Sequence, residues 1–94
     1  MIEVKRIGEG DPLKFEVVVR DGKGETRHQV TMTQKTCDRL TAGKHAPEQC
    51  LEAAFRFLLD REPKESILGR FDVTVISRYF PEFERELPRY LVQS

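Results

Sequence analysis

The sequence predicts an α+β domain, in which an N-terminal three-stranded antiparallel meander packs on a central helix with further short C-terminal helices. Two observations support this class. Apolar and polar residues alternate through the first third of the chain, as in half-buried strands, whereas residues 47–61 repeat at helical spacing. We therefore expect one domain over residues 1–94, with the sheet in residues 1–33 and the helical part in residues 34–94.

The strands are predicted by alternation on both sides of a turn. Apolar positions alternate in residues 13–19 and again in residues 26–32, and Asp21-Gly22-Lys23-Gly24 between them is a strong turn signal. A four-residue loop places Phe15 opposite Val30, whereas a two-residue Asp-Gly turn would pair Phe15 with His28. A three-residue loop would put the two apolar rows on opposite faces, so we predict the four-residue loop. Residues 2–7 are expected to add the third strand.

The central helix is predicted by the segment PEQCLEAAFRFLLDR, residues 47–61. Its apolar side chains cover an arc of roughly 200°, against about 100° in an ordinary surface helix. Pro47 suits the first turn, where its missing N–H costs nothing. A helix that is apolar on so many sides must be covered on two of them, so we expect it at the centre of the fold.

Shorter helices are expected on both sides of the central one. Thr33 is a suitable N-cap for a helix over residues 34–40 that stops near Gly43, and Pro63 ends the central helix before a short helix through Ile67 and Leu68. The residues expected in the core are Val4, Phe15, Val17, Val19, Val30, Met32, Leu51, Ala54, Phe55, Leu58, Ile76 and Phe80.

Residues 70–77 fit two structures. Phe71, Val73 and Val75 alternate with polar residues as in an exposed strand, but Asp72 is also a good N-cap, followed by apolar residues at helical spacing. We predict a helix and keep the strand as the alternative. Beyond Pro81, acidic residues stand near the positive end of a further helix.

Composition excludes several classes of function. The chain has 16 basic and 16 acidic residues, so its formal net charge of zero gives no general attraction to nucleic acid or anionic lipid. No apolar run approaches the roughly 20 residues that span a bilayer, and the first residues lack a signal-peptide core. We expect a cytoplasmic protein without a membrane partner, in which Cys37 and Cys50 are reduced thiols.

Metal binding and catalysis are not predicted. His28, Cys37, His45 and Cys50 could supply soft ligands, but eight, seven and four residues separate them, unlike the tight pairs of zinc sites. A Cys37–His28 nucleophile pair is the next candidate, with Cys37 partly exposed, but no recognisable motif surrounds it. Phosphate-binding and nucleophile-elbow patterns do not occur. We expect no catalytic residue, no metal and no cofactor.

Two segments are candidates for binding. The first interpretation of the aromatic C-terminal segment, through Tyr79, Phe83, Leu87 and Tyr90, is that its side chains close over the central helix. The functional alternative is that part of the segment stays exposed and docks a protein partner or a second copy of the chain. The outer edges of the sheet offer another route to self-association.

Nucleic-acid binding is the runner-up. Two short helices around Asp72, within residues 67–80, would resemble a helix-turn-helix, in which Arg70, Ser77 and Arg78 face phosphates or base edges. The acidic residues that follow would repel the nucleic-acid backbone, which lowers the rank of this alternative.

The block FRFLLDREPKESILGRFDVTVISRYFPEFE, residues 55–84, resembles a pattern shared by short uncharacterised bacterial proteins. The resemblance implies a bacterial cytoplasmic origin and the same layout of strands followed by helices, and it carries no activity, cofactor or catalytic residue. We therefore expect a non-enzymatic interaction or regulatory module that self-associates or docks a protein partner.

Overall fold

Four strands form one mixed sheet in the computed structural model, which describes residues 1–91. The strands are β1 (Ile2–Gly8), β2 (Leu13–Asp21), β3 (Gly24–Met32) and β4 (Arg70–Asp72), in that order across the sheet. The first three are antiparallel, as predicted, and β4 adds to β3 in parallel. The α+β class is confirmed, but the restriction of the sheet to residues 1–33 is wrong, because a strand from the helical part completes it.

The predicted register of the central hairpin is confirmed. Phe15 lies opposite Val30, and Arg20 lies opposite Glu25. Pairing continues to Asp21 and Gly24, so the strands extend into the predicted four-residue loop and leave a two-residue turn. Gly24 has a φ of +136°, a conformation that residues with a side chain rarely adopt.

Two helices follow the hairpin. Helix α1 (Gln34–Thr41) begins as predicted, because the Thr33 side chain accepts a hydrogen bond from the Thr36 N–H. Helix α2 (Pro47–Leu59) is the predicted central helix with Pro47 in its first turn.

Helix α2 is covered on two sides, as its wide apolar arc predicts. On the sheet side, the Phe55 ring lies 5.3 Å from the His28 ring and 6.1 Å from the Phe71 ring, between centroids. On the other side, Phe57 is fully buried against the aromatic rings of the C-terminal segment. The predicted core residues are buried except Val4 and Phe80, which are partly buried.

The segment after α2 departs from the prediction. A single 3₁₀ turn (Lys64–Ser66) replaces the expected short helix through Ile67 and Leu68. Arg70–Asp72 is the strand β4 and pairs with β3, so the strand alternative is correct for these three residues and the predicted helix applies only after Asp72. Asp72 does act as the expected N-cap, because its carboxylate accepts from the Thr74 N–H.

Two short helical elements and a further helix follow that cap, with a break at residues 80–82. A 3₁₀ turn (Val73–Val75) continues into the one-turn helix α3 (Ile76–Tyr79), and helix α4 (Phe83–Leu91) packs against α2. Helix α4 carries acidic residues in its first turn, as expected. Within residues 1–91, no helix has the length and apolar character needed to cross a membrane.

Candidate functional site

An apolar groove of about 290 Å³ opens at the β4 side of the fold. The end of α2, the loop after it, β4 and α3 all contribute to its walls. The lining residues are Leu58, Glu62, Ser66, Ile67, Leu68, Phe71, Val75, Ile76, Tyr79 and Phe80. Eight of these ten side chains are apolar or aromatic, which makes this concave surface suited to an apolar occupant.

A buried histidine holds one wall of the groove in place. The His28 Nδ1 atom lies 2.7 Å from the Leu68 carbonyl oxygen, and its Nε2 atom lies 2.8 Å from the Thr26 hydroxyl oxygen. A carbonyl oxygen can only accept, so Nδ1 donates to Leu68. The Gln29 N–H also donates to the Gly69 carbonyl at 2.8 Å. These bonds fix the loop of residues 67–69 against β3, so this wall is preformed.

Two lining side chains are unusually exposed. Leu68 is 46% exposed and Tyr79 is 67% exposed, and both are among the large apolar or aromatic residues left open to solvent. Single exposed apolar residues are common on protein surfaces, but here two of them line the same concave surface. Both side chains therefore lie on the same concave surface and are not scattered.

Glu62 is the one charged side chain among the described lining residues. Burial against the apolar walls raises the pKa of its carboxyl group. Within residues 1–91, no Lys, Arg or His forms an ion pair with it. The groove therefore combines apolar walls with one partly desolvated carboxylate, and a cationic group would complement that carboxylate.

The structure places only Tyr79 of the four predicted partner-binding residues at the groove. Phe83 and Leu87 are fully buried, so a partner would not contact them directly. Tyr90 packs its ring edge against Phe57 at 5.9 Å, and its hydroxyl donates to the Asp60 carboxylate at 2.6 Å. For these three residues the segment closes over α2, which was the first interpretation of the sequence.

The predicted helix-turn-helix is wrong. Residues 67–80 contain a strand, a 3₁₀ turn and one turn of helix instead of two helices joined by a turn. The Ser77 hydroxyl oxygen is buried, without a hydrogen-bond partner among the residues described, so it does not face a phosphate. Arg70 and Arg78 are exposed, the first on β4 and the second on α3.

The thiols are unsuited to nucleophilic chemistry. Cys37 is buried, and the prediction that it is partly exposed is wrong because α1 turns it toward the core. Burial raises the pKa of the Cys37 thiol and raises that of Cys50 to about 12, so both stay protonated at neutral pH. In residues 1–91, no three His, Cys, Asp or Glu side chains come together as metal ligands.

Sequence reasoning did not find the groove. Its walls come from elements that the fold brings together from residues 58 to 80, and the decisive feature is the exposure of Leu68 and Tyr79. A short apolar pair, Ile67-Leu68, followed by glycine was the available signal, but the pattern does not show which of the two side chains faces solvent.

Comparison with known proteins gave no matching family, no similar curated protein and no similar solved structure. The resemblance of residues 55–84 to short bacterial proteins therefore stays a prediction.

Proposed function

We propose that this chain is a non-enzymatic protein-interaction module that docks a segment of a partner protein in the apolar groove. The observation that carries this proposal is the exposure of Leu68 and Tyr79 on one preformed concave surface. At about 290 Å³, the groove lies at the lower limit of small-molecule pockets, which begin at about 300 Å³. Its size suits one or two large side chains of a peptide.

The charge in the groove specifies the occupant further. The Glu62 carboxylate is partly desolvated, and a Lys or Arg of the partner would restore favourable electrostatics. We therefore expect the docked segment to present a large apolar side chain next to a basic residue. The apolar side chain would contact Leu68 and Tyr79, and the basic one would pair with Glu62.

Selection from a displayed library of random peptides tests this proposal. We expect enriched peptides to share a large apolar residue adjacent to Lys or Arg, with micromolar affinity. A Leu68→Ser, Tyr79→Ala double variant should weaken binding at least tenfold, because both exposed contacts are lost. Glu62→Gln should weaken it less and should remove most of its dependence on salt.

Tyr90→Phe is the matched control, since it removes the hydroxyl bonded to Asp60 and leaves the groove residues unchanged. It should bind the selected peptides as wild type does. Peptides that bind the Leu68→Ser, Tyr79→Ala variant with wild-type affinity would contradict the proposal.

Nucleic-acid binding is the alternative outcome of the same set of experiments. Arg70 and Arg78 are exposed and form no ion pair with another described residue, which is the observation in its favour. A salt-sensitive gel shift with a single-stranded or duplex oligonucleotide, lost in an Arg70→Glu, Arg78→Glu variant, would replace the peptide-binding proposal.

A further inference from the structure

The outer edge of β1 provides a second, independent surface. β1 lies at one end of the sheet order and is paired only with β2 among the described strands. It is seven residues long, whereas β4 at the opposite edge has three. An unpaired strand edge presents backbone donors and acceptors that another strand can complete.

The hydrogen-bond pattern shows which backbone groups face outward. Met1 and Arg20 exchange two hydrogen bonds, with N···O distances of 2.7 and 2.9 Å. In an antiparallel pair, bonded positions alternate, so Glu3 and Lys5 also bond to β2. The N–H and C=O groups of Ile2, Val4 and Arg6 consequently point away from the sheet.

We propose that two copies of this chain associate through β1, antiparallel and with Val4 of each copy opposite Val4 of the other. The three outward-facing residues of one strand then meet those of the other, giving about six backbone hydrogen bonds. The four-stranded sheet of each copy would become half of a continuous eight-stranded sheet. The occupant of this edge is therefore a second copy, and its chemistry is that of β1 itself.

Charge complementarity selects this register. With Val4 at the centre, Glu3 of each copy, which also accepts a hydrogen bond from Arg20 of its own copy at 3.2 Å, faces Lys5 of the other, which gives two opposite-charge pairs by symmetry. A register centred on Glu3 would oppose two glutamates, and one centred on Lys5 would oppose two lysines. A centre at Arg6 would oppose two arginines. Opposite charges across a strand pair are stabilising, whereas like charges are destabilising.

Apolar exposure agrees with the same register. Met1, which precedes β1, is 78% exposed, and Ile7 within β1 is 51% exposed. Pairing about Val4 brings Met1 of each copy near Ile7 of the other, where β1 has a register irregularity between Arg6 and Gly8. Both contacts would remove apolar surface from water.

The charge of Arg6 does not oppose this association. Its guanidinium donates two hydrogen bonds to the Glu48 carboxylate of α2, at 3.0 and 3.1 Å, and lies over the Phe15 ring at 5.7 Å from the centroid. The side chain is thus neutralised within its own copy. Charged residues on an edge strand commonly prevent pairing; here they permit one register and oppose the others.

Sedimentation velocity of the full chain tests the proposal. We expect wild type at about 100 μM to sediment as a dimer of the 10.9 kDa chain. Val4→Pro removes an outward N–H and leaves the bonds to β2 intact, so it should sediment as a folded monomer. Lys5→Glu should also be monomeric, because the new glutamate of each copy would face Glu3 of the other. Adding Glu3→Lys should restore opposite charges and the dimer.

Cross-linking reports the register. In the proposed pairing, two Val4 Cα atoms lie about 5.5 Å apart, within disulfide range. Val4→Cys should therefore form a covalent dimer on mild oxidation with diamide. Lys5→Cys should not, because in this register Lys5 of one copy faces Glu3 of the other. The native thiols Cys37 and Cys50 are buried, so they should not contribute cross-links. A monomeric wild type, a dimer that survives both Val4→Pro and Lys5→Glu, or preferential cross-linking of Lys5→Cys would overturn the proposal.

Dimerisation through β1 can be tested separately from peptide binding in the groove. Leu68→Ser with Tyr79→Ala should leave the dimer unchanged, and a folded Val4→Pro monomer should retain the affinity for the selected peptides. Thermal unfolding by circular dichroism confirms that each variant remains folded, so loss of the dimer is not mistaken for loss of the fold.

Discussion

Replacement of Phe57 by alanine measures how much the second covered side of α2 contributes to stability. The Phe57 side chain is fully buried, with its ring centroid 5.1 Å from that of Phe83 and 5.9 Å from that of Tyr90. The Arg61 guanidinium lies over the same ring at 3.7 Å. The substitution removes an aromatic side chain that joins α2 to α4, and it leaves the contact of Phe55 with the sheet unchanged.

The expected cost is large for a domain of this size. Truncation of a buried phenylalanine to alanine costs about 3–5 kcal/mol. Native domains are stable by about 0.05–0.15 kcal/mol per residue, or about 5–14 kcal/mol for this chain. A loss of 3 kcal/mol corresponds to a decrease in Tm of about 15 °C, given the shift of 4–8 °C per kcal/mol that is usual in small domains.

Thermal and urea unfolding, followed by circular dichroism, measure this cost. Phe55→Ala is the comparison on the sheet side and should cost a similar amount. Arg56→Ala is the control on the exposed face of the same helix, where it breaks only the pair with Glu52 and should cost about 0.5 kcal/mol or less. A Phe57→Ala variant that melts within about 5 °C of wild type would refute the two-sided account of α2.

Three further predictions concern titratable groups. Burial alone would raise the pKa of Asp72, but hydrogen bonds from Thr31 and Thr74 outweigh it and lower this pKa. The contribution of Asp72 to the stability of the fold is therefore present above the ordinary carboxyl pKa and is lost as the pH falls through the lowered pKa. Asp72→Ala should cost about 1 kcal/mol at pH 7 and less in acid, measured by urea unfolding; an equal cost at pH 2 would contradict this account. Burial raises the pKa of Glu62, so its contribution is favourable below the ordinary carboxyl pKa and is lost as the pH rises through the raised value. Glu62→Gln should then raise stability by a few tenths of a kcal/mol at pH 7 but not at pH 3, and a loss at pH 7 would argue against desolvation. Finally, the Cys37 thiol should react with iodoacetamide only after unfolding, as followed by mass, and rapid labelling of the native protein would contradict its burial.

Local patterns in the sequence were sufficient to predict much of the fold. The alternation in residues 13–32 fixed the pairing of Phe15 with Val30, because a shift of one residue would have exposed an apolar row. The breadth of the apolar arc in α2 predicted that it would be covered on two sides, and Phe55 and Phe57 now show the two contacts.

Features that depend on distant contacts were predicted only as alternatives or not at all. β4 is three residues long and pairs with β3 some forty residues earlier, with the Thr31 hydroxyl donating to the Asp72 carboxylate at 2.6 Å. The residues of β4 have no local signal stronger than the competing N-cap signal of Asp72. The burial of Phe83 and Leu87 follows from the packing of α4 on α2, in agreement with the first interpretation of the segment, but composition alone did not separate these two residues from the exposed Tyr79.

The candidate site was predicted only at Tyr79. Aromatic composition pointed to the C-terminal segment, but composition does not distinguish a ring that closes the core from one that stays exposed. The fixed position of Leu68 depends on the hydrogen bond from His28, across forty residues of sequence, and no local pattern encodes it.

A ¹H–¹⁵N NMR titration with one selected peptide would test the docking groove most directly. We predict that chemical-shift changes concentrate at Glu62, Leu68, Phe71 and Tyr79, and that they disappear when the Leu68→Ser, Tyr79→Ala variant is titrated. Changes centred on β1 or on α1, with the groove residues unaffected, would contradict the assignment of the groove as the docking surface.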